Sequence, residues 1–254
     1  MGLSVGFSLR DFSEVLKIRD PAGQPYILIG GQAVNYWAER YLTHEPGLKD
    51  LIPFTSEDID FKGNRDDVRF IAAQLALNPS YPPKVAMTAL SGFIEVQIDG
   101  IKSVIEVVRR IPGLSDSMQT PAIHAQWEDK AIRVLDPVSL LACKIQLAGT
   151  LSQEKRHDVL HLKILVHCVR SFLRDILGEV DLGRLPARYW LNVTKQVSKL
   201  TNSARARKLA TKHSIDWHQI LPFDAIQRSQ DKQIGRFLLE QSPQIPRRSK
   251  GISR

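Results

Sequence analysis

The sequence predicts an α/β (α+β) fold, a mixed sheet flanked by helices and followed by a helical C-terminal region. Three observations carry that prediction. Tyr26-Ile27-Leu28-Ile29 is a short buried-strand run that passes through Gly30-Gly31 into a helical pattern, Val34 to Leu42. The stretch Phe54-Thr55-Ser56-Glu57-Asp58-Ile59-Asp60-Phe61 alternates with the period of a strand, so Asp58 and Asp60 share one face while Ile59 and Phe61 bury the other. From Asp181 onward the apolar spacing is that of helices.

Each element follows from local chemistry. Residues 8 to 18, with Phe12, Val15 and Leu16, form a first amphipathic pattern that Asp20-Pro21-Ala22-Gly23 stops. Thr43 to Phe54 reads as an inserted surface loop. Asn64 to Leu77 carries Val68, Ile71, Ala72 and Leu75 at helical spacing, and Asn78-Pro79-Ser80-Tyr81-Pro82-Pro83 ends it. Two β runs follow, Val85 to Ile98, broken near Ser91-Gly92, and Lys102 to Val108. Asp99-Gly100 between them is a strong hairpin signal. Ala131 to Leu135 is a last strand, and Asp136-Pro137 opens a helix correctly, with Asp as N-cap and Pro in the first turn.

That helix is expected over Val138 to Ala148, the next from Ser152 to Leu173. Pro186 to Leu200, Ala204 to His213 and Asp224 to Glu240 complete the helical region, with Trp190 and Trp217 as core. The tail from Pro243 to Arg254 is too polar and too rich in Pro and Ser to fold alone. The organisation expected is therefore a sheet-containing core at residues 1–135, a helical region at 136–242 and a flexible basic tail at 243–254.

With 43% apolar residues the chain has ample material for a core, and no apolar run is long enough to cross a bilayer. The N-terminus lacks a signal-like core, and Gly6 stands where a myristoylation motif needs Ser or Thr. Cys143 and Cys168 sit in apolar helical patterns, which suits buried thiols in a reducing compartment. The expectation is a soluble, cytoplasmic protein. The net charge of +8 is uneven: residues 1–194 hold 22 Lys/Arg against 23 Asp/Glu, residues 195–254 hold 13 against 4. A near-neutral body with a basic arm suits a polyanionic partner.

The chemistry centres on Asp58 and Asp60. Two carboxylates on one strand face repel, and a cation between them relieves that. Hard oxygen ligands suit Mg²⁺, which commonly arrives with the phosphates of a nucleotide. Strand, paired glycines and helix start lets the amides at Gly30 and Gly31 approach phosphate oxygens closely. The hairpin offers Glu95, Asp99 and Glu106 as a third acid. Asp99 has a local reason to be in the turn. Glu106 is a charge set in the apolar run Val104-Ile105-Glu106-Val107-Val108 and is preferred, with Glu95 second. Lys144, among apolar neighbours, implies a waiting anion. His157, His161, His167 and Cys168 lack zinc-site spacing, so no metal is expected there.

Gly30-Gly31 opening a helix, followed by Ser56-Glu57-Asp58-Ile59-Asp60-Phe61, resembles the DNA polymerase β-like nucleotidyltransferase superfamily, most closely its AbiEii/AbiGii toxin-type members. The resemblance runs from about Tyr26 to Leu165 and includes Lys144 followed by Arg156-His157-Asp158. It departs from the pattern in three places: a longer separation between Gly31 and Asp58, Glu106 where Asp is more usual, and His161 at a second Asp position.

The resemblance implies transfer of a nucleoside monophosphate from an NTP to an acceptor. Asp58, Asp60 and Glu106 would hold two Mg²⁺ ions about 3.5–4 Å apart. Gly30, Gly31 and Ser56 would seat the phosphates, Lys144 would counter triphosphate charge, and Asp158 would join the active site. The acceptor is not legible in the sequence; the basic arm favours RNA, a tRNA 3′ end included, and the toxin-type likeness agrees with that and implies an antitoxin partner. The alternatives are an inactive nucleotide- or RNA-binding module, and a transferase acting on a small molecule or protein.

Overall fold

The computed structural model describes residues 6–83, 85–115, 120–154 and 156–240, so the tail from Pro243 lies outside the described residues. The chain forms two compact units, one of Met1–Glu39 with Pro53–Cys143, the other of Arg40–Ile52 with Lys144–Arg254.

The first unit holds a mixed sheet: β1 (Ile27–Ile29), β2 (Asp58–Lys62), β3 (Pro79–Ser80), β4 (Leu90–Ile98), β5 (Ile101–Val108), β6 (Ala122–Trp127) and β7 (Lys130–Leu135). Their order across the sheet is β3-β4-β5-β2-β1-β7-β6. The pairs β1/β7 and β2/β5 are parallel, and β1/β2, β3/β4, β4/β5 and β6/β7 antiparallel. As the alternation dictated, Ile59 and Phe61 are buried while Asp58 and Asp60 are half-exposed. Helix α2 (Arg65–Gln74) packs its Val68, Ile71 and Ala72 against β4 and β5, burying Ile94, Ile105 and Val107 with them. Asn64 starts that helix: its side chain accepts from the Asp66 and Asp67 amides, and the Asp67 carboxylate accepts from the Asn64 amide.

Turn chemistry explains the hairpin. Asp99 and Gly100 sit at φ 50° and 78°, the positive values that a tight two-residue turn requires at both central positions. A register irregularity between Leu90 and Gly92 falls at the expected break, where a Cβ on Gly92 would come within 2.7 Å of the Ser80 carbonyl oxygen.

Several expectations are corrected. Residues 8–18 form two short 3-10 helices, Leu9–Phe12 and Val15–Lys17, instead of one amphipathic helix, because the turns close through i→i+3 bonds around Ser13. The first β run begins at Leu90; Val85 and Met87 are exposed, since the segment after Pro82-Pro83 turns back on itself before reaching the ladder. Strand β6 was not expected at all. It pairs with β7 across a two-residue turn in which Glu128 takes φ 51°.

The second unit is helical. Besides the end of α3 (Pro137–Thr150) it holds α4 (Asp158–Asp181), α5 (Ala187–Thr201), α6 (Ala204–His213), α7 (Phe223–Arg228) and α8 (Lys232–Glu240). Asp136 caps α3 as foreseen, accepting from the Val138 and Ser139 amides at 2.9 and 3.0 Å. Helix α4 starts six residues later than expected, at Asp158, and runs on to Asp181. The expected helix Asp224–Glu240 is two, interrupted where the Ser229 and Asp231 side chains take up backbone amides. Trp190 and Trp217 are fully buried, each donating its indole N–H to a backbone carbonyl.

Of the segment expected as a surface loop, 43–54, the part up to Ile52 is instead anchored in this unit. Pro46–Leu51 is a 3-10 helix, Leu48 is fully buried, and Glu45 is buried with Arg170, Ser171 and Arg174 around its carboxylate. Burial raises the Glu45 pKa, but hydrogen bonds from His167, Arg170 and Ser171 and the Arg170 charge outweigh it and hold the carboxyl far below the carboxylate range.

Candidate active site

The acidic centre is assembled by sheet register. Strands β2 and β5 run parallel with Asp58 beside Val104 and Asp60 beside Glu106. Side chains two residues apart share a face, so Asp58, Asp60 and Glu106 converge; one carboxylate oxygen from each lies within 4.8 Å of the others. All three are half-buried. Among the described residues they form the one group of three or more His, Cys, Asp or Glu side chains close enough to share a metal ion. Glu95 is exposed, lies outside the cluster, and stands 4.0 Å from Lys102 Nζ.

Gly30 stands against this centre. The antiparallel register sets Ile29 opposite Asp60, and the chain then turns into α1 (Gly30–Tyr41) with Gly30 at φ +69°. A Cβ at Gly30 would collide with Asp60 Oδ2. Backbone conformation and close approach both call for glycine here. Gly31 beside it is buried. The start of α1, with its unsatisfied amides, therefore adjoins an acid that can carry a cation.

Ser56 is buried and its Oγ donates to Asp58 Oδ1 at 3.0 Å. Ser103 of β5 donates to the Glu57 carbonyl at 2.8 Å, fixing the backbone one residue before Asp58. The expected phosphate-side residues Gly30 and Ser56 thus both touch the acidic cluster directly.

Lys144 and Asp158 meet each other in the second unit. Lys144 Nζ lies 2.9 Å from Asp158 Oδ1, and Arg156 Nε lies 2.6 Å from Oδ2. The anion awaiting the buried ammonium is therefore supplied by the chain itself. Asp158 is only 2% exposed. Burial alone would raise its pKa, but the Lys144 charge and the Arg156 hydrogen bond outweigh it and hold the carboxyl at about 2. His161 beside them is buried, with no protein hydrogen bond to either ring nitrogen. Burial, then the Lys144 charge, push its pKa well below the usual histidine value.

Sequence reasoning missed two contributors to the acidic centre, Ser103 and the N-terminal residue Phe7, whose backbone pairs with Ser56. Neither carries a local signal, because a serine in a strand and a phenylalanine near a terminus reveal their partners only once the sheet is formed.

The fold cannot be assigned by sequence comparison: no protein-family model matches the chain, and no curated protein does. Among solved structures, an antigenic nucleotidyltransferase-like protein from Paracoccidioides brasiliensis is similar over 65% of this chain and 78% of its own, at 12% identity and a TM-score of 0.42. JHP933 from Helicobacter pylori is similar over 81% of this chain and 91% of its own, at 15% identity and a TM-score of 0.35. Likeness at this level carries no argument about chemistry, which rests on the geometry of the acids.

Proposed function

We propose that the chain is a metal-dependent nucleotidyltransferase that moves a nucleoside monophosphate from a nucleoside triphosphate to an acceptor. The observation that carries this reading is the convergence of Asp58, Asp60 and Glu106 within 4.8 Å beside the Gly30 turn. Three hard oxygen donors on an accessible sheet face fit Mg²⁺, and no sulfur or imidazole competes within the group. Bound there, Mg²⁺ would neutralise phosphate charge and activate the acceptor oxygen.

The chain's own residues supply the rest. The amides of Gly30 and Gly31 seat phosphate oxygens at the start of α1, and Ser56 keeps the Asp58 carboxylate turned. A bond forms between the acceptor oxygen and the α-phosphorus as the acceptor's O–H proton passes to solvent water, the α–β anhydride breaks and pyrophosphate leaves. Asp158, held at about 2 by its cations, is a poor proton acceptor at neutral pH and is proposed as the group that fixes Lys144.

RNA is the proposed acceptor, a tRNA 3′ end included. Its support is the stretch 182–215, which spans α5 and α6 and holds eight Lys/Arg and no Asp/Glu. A toxin role with an antitoxin partner is proposed on the sequence resemblance alone.

The test is incubation with each α-labelled NTP, Mg²⁺ and total RNA. Label on RNA that disappears with Asp58→Ala is expected. No transfer from any NTP, or transfer that survives Asp58→Ala, removes the enzyme reading. Label on a small molecule or protein keeps the chemistry and replaces the acceptor.

A further inference from the structure

A continuous line of buried hydrogen bonds runs from the interior of α1 to the acid cluster. Asn35 Nδ2 donates to Gln32 Oε1 at 3.1 Å, and Gln32 Nε2 donates to the Phe7 carbonyl at 2.9 Å. Phe7 and Ser56 exchange both backbone bonds, the Phe7 amide donating at 2.8 Å and the Ser56 amide at 2.9 Å. Ser56 Oγ then donates to Asp58 Oδ1 at 3.0 Å. Gln32 and Asn35 are fully buried, and Phe7 and Ser56 are 5% and 6% exposed.

Three features make this more than ordinary backbone pairing. Gln32 lies directly after the Gly30-Gly31 turn, so the line joins the helix that starts at the phosphate side to the strand that carries the acids. Because Gln32 Oε1 accepts from Asn35, its amide N–H is the end left to face Phe7. The segment is also tightly seated: a Cβ on Gly6 would meet the Thr55 hydroxyl oxygen at 2.5 Å, and the Phe7 ring packs edge-on against Phe12 at 5.9 Å between centroids. Buried bonds in series polarise one another and tolerate little slack. A hydroxyl on one carboxylate oxygen fixes which lone pairs face outward, as outer partners of metal ligands commonly do.

We infer that Gln32 and Ser56 are positioning residues for Asp58, coupled through the backbone of Phe7, so that the N-terminal segment sets the metal affinity of the acid cluster. The inference rests on the metal-binding reading of that cluster. Gln32 touches no acid in this line of bonds; it acts by holding Phe7, and through Phe7 the Ser56 hydroxyl.

The experiment is Mn²⁺ titration by calorimetry on the full chain without nucleotide, using wild type, Ser56→Ala, Ser56→Thr, Gln32→Met and the Ser56→Ala/Gln32→Met double variant. Ser56→Ala is expected to weaken Mn²⁺ binding about tenfold. Ser56→Thr, which keeps the hydroxyl, should restore most of it. Gln32→Met should weaken binding by less, and the double variant should be no weaker than Ser56→Ala, because both act on one bond. Wild-type affinity in Ser56→Ala, or fully additive losses in the double variant, overturns the inference while leaving the metal site standing. Should Gln32→Met unfold, Ser56→Ala and Ser56→Thr decide the question between them, since the first deletes a single oxygen and the second returns it. A wild-type chain that takes up no Mn²⁺ overturns the metal reading and this inference together.

Discussion

Asp58 and Asp158 are both aspartates that the sequence marks for chemistry, and their surroundings differ in kind. Asp158 is buried with Lys144 and Arg156 within 3 Å of its two oxygens, a charge balanced by the chain itself. Asp58 is half-exposed and has two further carboxylates converging on it. A buried acid with its own cations is settled by folding. Acids gathered on one half-buried face repel one another, and a cation bound among them relieves that cost.

Stability separates the two most sharply. Lys144→Met leaves Asp158 buried with one cation fewer and should destabilise the chain by about 3 kcal/mol. Asp58→Ala in metal-free buffer should leave stability equal or higher, because it removes one member of a like-charged group. Urea unfolding of both variants measures the contrast. A large loss in Asp58→Ala would mean that the cluster is a structural element.

Acid unfolding sharpens the comparison. Asp158, at about 2 when folded and about 3.9 when unfolded, contributes stability that is full above the unfolded value and lost as pH falls through the folded one. That contribution is roughly 3 kcal/mol. His161 acts earlier. Its folded pKa is depressed, so below about 6.5 the unfolded chain takes up a proton that the folded chain refuses, and stability falls with falling pH. Melting temperatures between pH 8 and 2 should therefore decline in two stages. His161→Leu should remove the first, and Asp158→Asn should shrink the second, to which Glu45 also contributes; a first stage that survives His161→Leu belongs to another group.

Glycine substitutions give a smaller effect of the same logic. Gly30→Ala should cost about 1–2 kcal/mol for its left-handed backbone and also push Asp60 aside, weakening Mn²⁺ binding. Gly178→Ala on α4, where a Cβ meets nothing within 4 Å, should instead be neutral or gain up to about 1 kcal/mol. Differential scanning calorimetry and Mn²⁺ titration of both variants check this, and equal behaviour would remove the special role of Gly30.

The smallest effect concerns the basic helices. Lys199→Gln and Lys208→Gln each remove one exposed cation from α5 or α6. If these helices grip RNA, each should make the slope of log affinity against log salt shallower by about 1. A slope that does not move takes α5 and α6 off the RNA.

What the sequence made legible was whatever a short window contains. Alternation put Asp58 and Asp60 on one face, an apolar run singled out Glu106, and Asp99-Gly100 announced its turn. Lys144 was marked by its apolar neighbours, but its partner could not be read, since Asp158 lies 14 residues on across a turn between helices. The Phe7–Gln32–Ser56 line was invisible for the same reason: its bonds join residues far apart in the chain, and each residue alone is unremarkable. Strand β6, Ala122–Trp127, has a histidine and a glutamine among its few apolar residues, and only pairing with β7 makes it a strand.

Glu45 has a consequence in time. During synthesis it leaves the ribosome 125 residues ahead of Arg170, with Ser171 and Arg174 following still later. At about 5–20 residues per second that is a wait of roughly 6–25 s. Through that interval the carboxylate has only water to solvate it, so Pro46–Leu51 cannot settle into its buried place and Leu48 stays exposed to other chains. That exposure ends when α4 emerges and its arginines close over the glutamate.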